Sequence, residues 1–253
     1  MYLIDSHCHL DFPEFDDDRC ELIESCQQNG IKKFVVLGVR SATWMSLAKV
    51  AEEFPAIIPA YGLHPYFVEE HQLTDIDQLA LVLEKYKPCA IGEIGLDFYR
   101  RDLDPEKQRI LLREQLKLAE KYQLPVILHV RKAHDEMIQT LRGYQIPGGI
   151  CHAFNGSLQQ AGLYEKLGFK FGFGGAATYE NANNLKKLVT TLRLESIVLE
   201  TDSPDMLPMN TTFTRNTPIT LLQVLSVVAN LRNESEEQIK KTTTENVEKL
   251  LSL

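Results

Sequence analysis

Eight short apolar, β-branched runs recur along the chain, at 2–7, 32–37, 57–61, 89–93, 125–129, 149–152, 169–173 and 197–200, each followed by a longer segment of helical character. A helix between two strands returns the chain to the same edge of a sheet, so consecutive strands pair in parallel. Eight such units within 253 residues predict an α/β protein, a closed (β/α)8 TIM barrel formed as one domain across 1–253. An open doubly wound sheet is the structural alternative. Two modest domains would also fit the length, but no linker, low-complexity tract or internal repeat divides the chain.

Local signals agree with this layout. Asp104-Pro105 supplies an N-cap and a first-turn proline for a helix over 105–122. The apolar face of that helix, Ile110, Leu111, Leu118 and Ala119, is interrupted by Gln115. Asn29-Gly30 is placed to end the first helix and Gly143 the fifth. Helical segments around 219–231 and 234–251 follow the eighth strand and are expected on the outside of the barrel.

The chain carries a net charge of −8, which argues against broad adhesion to nucleic acid through a basic face but leaves room for a local phosphate site. No apolar run reaches the roughly 18–20 residues needed to cross a bilayer. The first residues read as a strand and not as a leader, so the expectation is a cytoplasmic protein without membrane contact. Five cysteines with no CxxC pair read as packing residues of a reducing compartment. No apolar stripe marks a dimer seam, and a monomer is expected.

Polar residues collect where the predicted strands end. "IDSHCHLDF" places His7 and His9 on one face of a strand and Cys8 on the other. His64 follows strand 3, Glu93 ends strand 4, His129 ends strand 5, His152 ends strand 6 and Asp202 follows strand 8. In a barrel these ends converge on one mouth. A lone histidine after an apolar strand is ordinarily a satisfied rim residue, but that account has to hold five times over. Burying so many polar groups together without a cation would be costly. Histidine and carboxylate without thiolate suit Zn²⁺, Mn²⁺ or a hydrolytic Mg²⁺ site. Four histidines and two carboxylates exceed one tetrahedral ion, so two divalent ions roughly 3.5–4 Å apart are expected, with Glu93 as the natural bridge. Asp202 is expected to act as ligand and general base. Glu200 and Asp5 share parity with Asp202 and His7 and could fix imidazole tautomers. Arg131, two residues past His129, is the preferred phosphate contact. Arg100, Arg101, Lys132 and Arg215 lie in loops at the same end. Tyr66, Phe67, Phe98, Tyr99, Phe154 and Tyr179 are candidates to stack bases there.

The blocks "DSHCHLDF", "GLHP", "IGEIGLDFYR", "VILHVRKA", "HAFNGS", "GGAATY", "LETDSP" and "RNTP" together resemble, in order, the TatD-type metal-dependent hydrolases of the amidohydrolase-like (β/α)8 group. The resemblance implies a divalent-metal hydrolase, with deoxyribonuclease activity among its members; a 3′–5′ exonuclease acting on DNA is the first function expected of this chain. It implies that His7, His9, Glu93 and Asp202 hold one ion, that Glu93, His129 and His152 hold the second, and that His64 contacts substrate. The expected reaction is hydrolysis of a DNA phosphoester by a water activated at the ions. Hydrolysis of a small amide, ester or lactone at the same site is the alternative, and a non-catalytic, metal-stabilised binding protein a third reading. Asp205, just after "TDSP", and the acidic "DFPEFDDD" run both oppose a phosphodiester at the mouth, although the acidic run could instead begin a helix.

Overall fold

The computed structural model describes residues 1–212 and 214–253. The strands are β1 Leu3–Cys8, β2 Ile31–Gly38, β3 Ile57–Tyr61, β4 Ile91–Asp97, β5 Val126–Arg131, β6 Gly149–Cys151, β7 Phe169–Phe173 and β8 Ile197–Leu199. The helices are α1 Arg19–Gln28, α2 Trp44–Glu53, α3 Thr74–Tyr86, α4 Pro105–Tyr122, α5 His134–Leu141, α6 Leu158–Glu165, α7 Asn183–Thr191, α8 Leu221–Arg232 and α9 Glu236–Leu251. The strands form one parallel sheet in sequential order, a nearly closed (β/α)8 barrel. The helix at 105–122 forms with the predicted limits, Asp104 accepting from the backbone N–H of Glu106 and Lys107. Most strand limits lie within one residue of expectation, β4 starts two residues late, and the strands predicted to stop at Glu93 and His129 run on to Asp97 and Arg131. No helix among the described residues is long and apolar enough to cross a membrane.

Two apolar layers follow from strand alternation. Leu3, Phe34, Val36, Leu128 and Phe171 pack outward against the helices, while Ile4, Val35, Leu37, Ala60, Ile127, Ile150 and Val198 fill the barrel interior. Val247 and Leu251 of α9 join that interior cluster. Thr244 donates to the Tyr2 carbonyl at 2.8 Å, and Asn246 donates to Leu194 and Ile197 at the start of β8. α9 therefore lies across the N-terminal end of the barrel and not on its outer ring, a correction to the sequence expectation. The interior opens at the C-terminal end of the strands.

The seam between β8 and β1 is closed mainly by the chain beyond β8. Asp202 N–H donates to His7 O at 2.9 Å and His9 N–H to Ser203 O at 2.8 Å. Asp5, fully buried, accepts from Thr201 N–H at 3.0 Å, from the Thr201 hydroxyl at 2.6 Å and from His7 N–H at 3.2 Å. Asp5 is thus a seam residue and does not hold an imidazole. Burial pushes its carboxyl up to about 7 against the pull of those donors. A carboxyl whose folded value exceeds its unfolded one favours the folded state when protonated. Its contribution is present at acid pH and lost as pH rises through about 7.

Asp5→Ala leaves the Thr201 N–H and hydroxyl without their acceptor and is expected to cost about 1–3 kcal/mol. Asp5→Asn keeps an acceptor for both amides while Thr201 turns its hydroxyl to accept. It is expected to retain most of the stability and to flatten its pH dependence near neutrality, read from urea midpoints at constant slope.

Candidate metal centre

Two irregular pairings aim the donors. In β1, Asp5 pairs with Phe34 but Cys8 with Val36, so three steps on β1 meet two on β2. In β4, Ile91 pairs with Val126 and Ile94 with Leu128, again three against two. An extra residue of this kind reverses which face the following side chains occupy. Ile4 faces inward and Cys8 outward despite their even separation, so His7 and His9 turn inward. Ile91 and Ile94 both face outward, which leaves Glu93 facing in. His129 and His152 need no such device, because simple alternation from Ile127 and Ile150 brings them inside. Two glycines provide room: a Cβ on Gly95 would lie 1.8 Å from the His129 carbonyl oxygen, and one on Gly172 would lie 1.9 Å from Glu200 Oε2. Asp202 has φ of 56°, a left-handed conformation that aspartate tolerates better than most residues.

The carboxylate of Glu93 lies at the centre, 1% exposed. Its Oε2 is 3.2 Å from His7 Nε2 and 3.6 Å from His9 Nε2. Its Oε1 is 3.2 Å from His129 Nδ1, 3.8 Å from His152 Nε2 and 3.1 Å from His64 Nε2. Asp202 Oδ1 is 3.4 Å from His7 Nε2 and 3.6 Å from His9 Nε2, and its Oδ2 is 3.9 Å from His152 Nε2. Donor atoms lie within 4.8 Å of one another in three groups: His7, His9 and Asp202; His7, Glu93 and His152; and His64, Glu93 and His129. All six predicted ligands and His64 therefore meet, although His152 groups with His7 and not with His129.

Hydrogen bonds behind the rings decide which nitrogen faces the centre. His9 Nδ1 lies 3.1 Å from the Leu37 carbonyl and His152 Nδ1 3.1 Å from Glu200 Oε1. Both nitrogens are donors, so each ring turns a lone pair at Nε2 inward. His129 is reversed: Nε2 donates to Asp97 Oδ2 at 3.0 Å and Nδ1 faces Glu93. His64 is different in kind. Its Nδ1 accepts from Tyr66 N–H at 3.0 Å, so its proton sits on Nε2 and it offers the centre a donor and not a lone pair. Burial, reinforced by the neighbouring His129, lowers His64 to about 4, against a partial pull from Glu93, which keeps this ring neutral.

The donor set fits divalent cations. Both ring nitrogens of buried His7 lack a hydrogen-bond partner among the described residues, and that ring stacks on His152 with centroids 3.8 Å apart. Three inward lone pairs, His7 and two carboxylates would be costly to bury unneutralised. Burial opposes charge on His129, but the Asp97 and Glu93 carboxylates raise it to about 9. Burial is likewise outweighed at His7, by Glu93 and Asp202, and at His9, chiefly by Asp202; both are raised. Without cations, protons take their place.

The family model described as TatD related DNase matches residues 4–252. The chain belongs to the TatD family. It is 39% identical over 254 residues to a metal-dependent hydrolase of Escherichia coli K12, YjjV, covering 99% of this chain and 98% of that one. The crystal structure of that TatD homologue superposes with a TM-score of 0.95 at 38% identity, covering 99% and 98% of the two chains. A mouse protein named as a candidate deoxyribonuclease, TATDN3, is 31% identical, covering 98% of this chain and 87% of its own. The protein is a metal-dependent hydrolase.

In this TatD hydrolase His9, His64, Glu93, His129, His152 and Asp202 line a cavity of about 600 Å³ that also presents Phe12, Tyr66, Phe67, Arg131, Phe154 and Asp205, while His7 is fully buried. Arg131 lies 3.6 Å from Asp97 and stacks over Tyr99 at 4.3 Å. Three sequence expectations change. Arg215 is engaged away from the cavity, donating to the Glu14 carbonyl and to Asp18. Arg100 pairs with Asp102 at 2.6 Å. Of the six aromatic candidates, Phe98, Tyr99 and Tyr179 do not line the cavity. The acidic run is partly neutralised by Arg19 on Asp16 and Arg215 on Asp18, and α1 begins only at Arg19.

Sequence reading missed Asp97, Gln108 and Gln115. Asp97 lay beyond the predicted end of strand 4, although Ile94 and Leu96 alternating with Gly95 and Asp97 carry its signal. Gln108 and Gln115 project from α4 into the core, Gln108 bonding both backbone groups of Asp97 and Gln115 both of Leu63, beside His64.

Because His7, His9 and His129 are raised, metal binding has to displace their protons. Apparent affinity for Zn²⁺ or Mn²⁺ is expected to rise between pH 6 and 9, with proton release. Calorimetry in buffers of different ionisation enthalpy measures both quantities.

Proposed function

We propose that this protein, as a single domain across 1–253, is a two-ion phosphoesterase acting on DNA, in the manner of a 3′–5′ exodeoxyribonuclease. The observation that carries the reading is the division of Glu93: Oε2 faces His7 and His9 while Oε1 faces His129 and His152. One carboxylate oxygen toward each set of imidazoles is the arrangement a bridging ligand needs. His7, His9, Asp202 and Glu93 would hold one divalent ion, and Glu93, His129 and His152 the other, as Zn²⁺, Mn²⁺ or Mg²⁺. Bound there, such ions supply a water acidified toward neutral pH and a Lewis acid for the oxygen under attack.

The chain's own groups account for the rest. Asp202, a catalytic residue in this reading, orients the attacking water and accepts its proton. His64 donates from Nε2 to a phosphoryl oxygen as charge develops on it, and Arg131 pairs with a second oxygen through its planar fork. Glu93 occupies the anionic centre and keeps the two imidazole sets in register. The similarity to mouse TATDN3, named as a candidate deoxyribonuclease, supports DNA as substrate.

Asp205 favours a second reading. Its carboxyl lines the cavity, and burial and the Asp202 charge raise it. A carboxylate there opposes a polyanion, which favours a small ester, amide or lactone as substrate. Metal-reconstituted turnover of end-labelled single-stranded DNA beside a panel of phosphoesters and amides separates the two. Failure to cut DNA with any divalent ion would exclude the nuclease.

Glu93→Ala is expected to abolish both ion retention and hydrolysis. His64→Ala is expected to lower kcat about 10²-fold with metal content unchanged. Metal analysis of the purified variants beside their kinetics checks both, and full activity in Glu93→Ala would refute the bridging role.

A further inference from the structure

We propose that Asp97 is a positioning residue that ties the ion site at His129 to the anion contact at Arg131, so that one carboxylate governs both metal retention and substrate affinity. The inference rests on the two-ion phosphoesterase reading above.

Asp97 is fully buried at the end of β4. Its Oδ2 accepts from His129 Nε2 at 3.0 Å and lies 3.6 Å from Arg131 Nη1. Its Oδ1 accepts from the backbone N–H of Tyr99 at 3.0 Å and of Arg100 at 3.3 Å. The Arg131 guanidinium stacks over that same Tyr99 ring. Asp97 therefore restrains Arg131 twice, through the ion pair and through the residue beneath it, while fixing the tautomer of His129. Its own backbone is held at both ends by the Gln108 side chain, N–H to Oε1 at 2.8 Å and carbonyl to Nε2 at 3.2 Å. The carboxylate has little freedom to serve one partner without the other.

Glu200 provides the contrast. It performs the first duty for His152, accepting from Nδ1 at 3.1 Å and from Ala153 N–H at 2.6 Å, and forms no ion pair with an arginine among the described residues. If Asp97 were merely structural, losing it would lower stability and leave this asymmetry without consequence.

The test compares Asp97→Asn, Glu200→Gln and Arg131→Ala. Mn²⁺ affinity and stoichiometry are read by calorimetry, KM and kcat on bis(p-nitrophenyl) phosphate, and folding by thermal melts. Asp97→Asn retains an acceptor for the Tyr99 and Arg100 amides. It is expected to weaken one of two Mn²⁺ sites about 10–100-fold and also to raise KM several-fold. Glu200→Gln is expected to weaken one site with KM unchanged, and Arg131→Ala to raise KM with Mn²⁺ binding unchanged. The double variant of Asp97 and Arg131 is expected to have the KM of Arg131→Ala alone, since coupled residues are not additive. If Asp97→Asn does not fold, Asp97→Glu is read the same way, with losses in both quantities. A wild-type chain that binds no divalent ion overturns the two-ion reading and this proposal with it. A wild type with two Mn²⁺ sites, beside an Asp97 variant of unchanged affinity and KM, or a double variant whose KM effects multiply, overturns this proposal alone.

Discussion

A buried carboxylate surrounded by imidazoles is the interaction on which the rest of this structure depends. Glu93 is almost wholly shielded from solvent, and five histidine nitrogens lie within 4 Å of its two oxygens. Such a group is stable only if positive charge enters with it, as protons or as metal ions. The raised histidines show what happens when only protons are available. Divalent cations satisfy the same demand with fewer particles and release those protons. This accounts for a barrel that accepts polar groups at its mouth while its lower interior is aliphatic and closed by α9.

The site is shaped from behind as much as from within. A backbone carbonyl orients His9, a carboxylate orients His152, and a second carboxylate turns His129 the other way round. His64 carries the opposite instruction, an N–H behind the ring, and so presents a proton to a centre that otherwise presents lone pairs. One residue type thus provides two chemical functions a few ångströms apart. The selection is made by whether a donor or an acceptor stands behind each imidazole. Gln108 and Gln115, reaching in from α4, stabilise the strand end and loop on which Asp97 and His64 sit.

The cavity is chemically two-sided. His64 and Arg131 stand on the β3 and β5 side, while Asp202 and Asp205 follow β8. An anionic group is drawn to the former, and the latter favours a neutral or hydrogen-bond-donating portion of the substrate. Only part of the basic and aromatic character anticipated for the rim faces this space. Arg100 and Arg215 are bound to acidic neighbours, and Phe98 lies beneath Arg109.

Much of the fold and most of the donor set were legible in the chain itself. Strand–helix alternation is a local periodic property, and it led directly to a parallel barrel. His7, His9, His64, Glu93, His129, His152 and Asp202 stood out because ionisable groups at the ends of apolar runs violate the ordinary burial pattern. Asp97 was missed and Asp5 misread for one reason: their roles depend on partners far away in sequence, His129 and Thr201. The inward aim of His7 and Glu93 was beyond the reach of strand parity, because an extra residue in a strand exists only relative to its neighbour. The sequence by itself determined the barrel and the chemical kind of its mouth, since both follow from local pattern and residue type. Only the tertiary structure decided which ring nitrogen faces the centre, which arginine faces the cavity and which helix closes the base. Those choices are made by hydrogen bonds and charges between segments that adjoin only after the chain has closed.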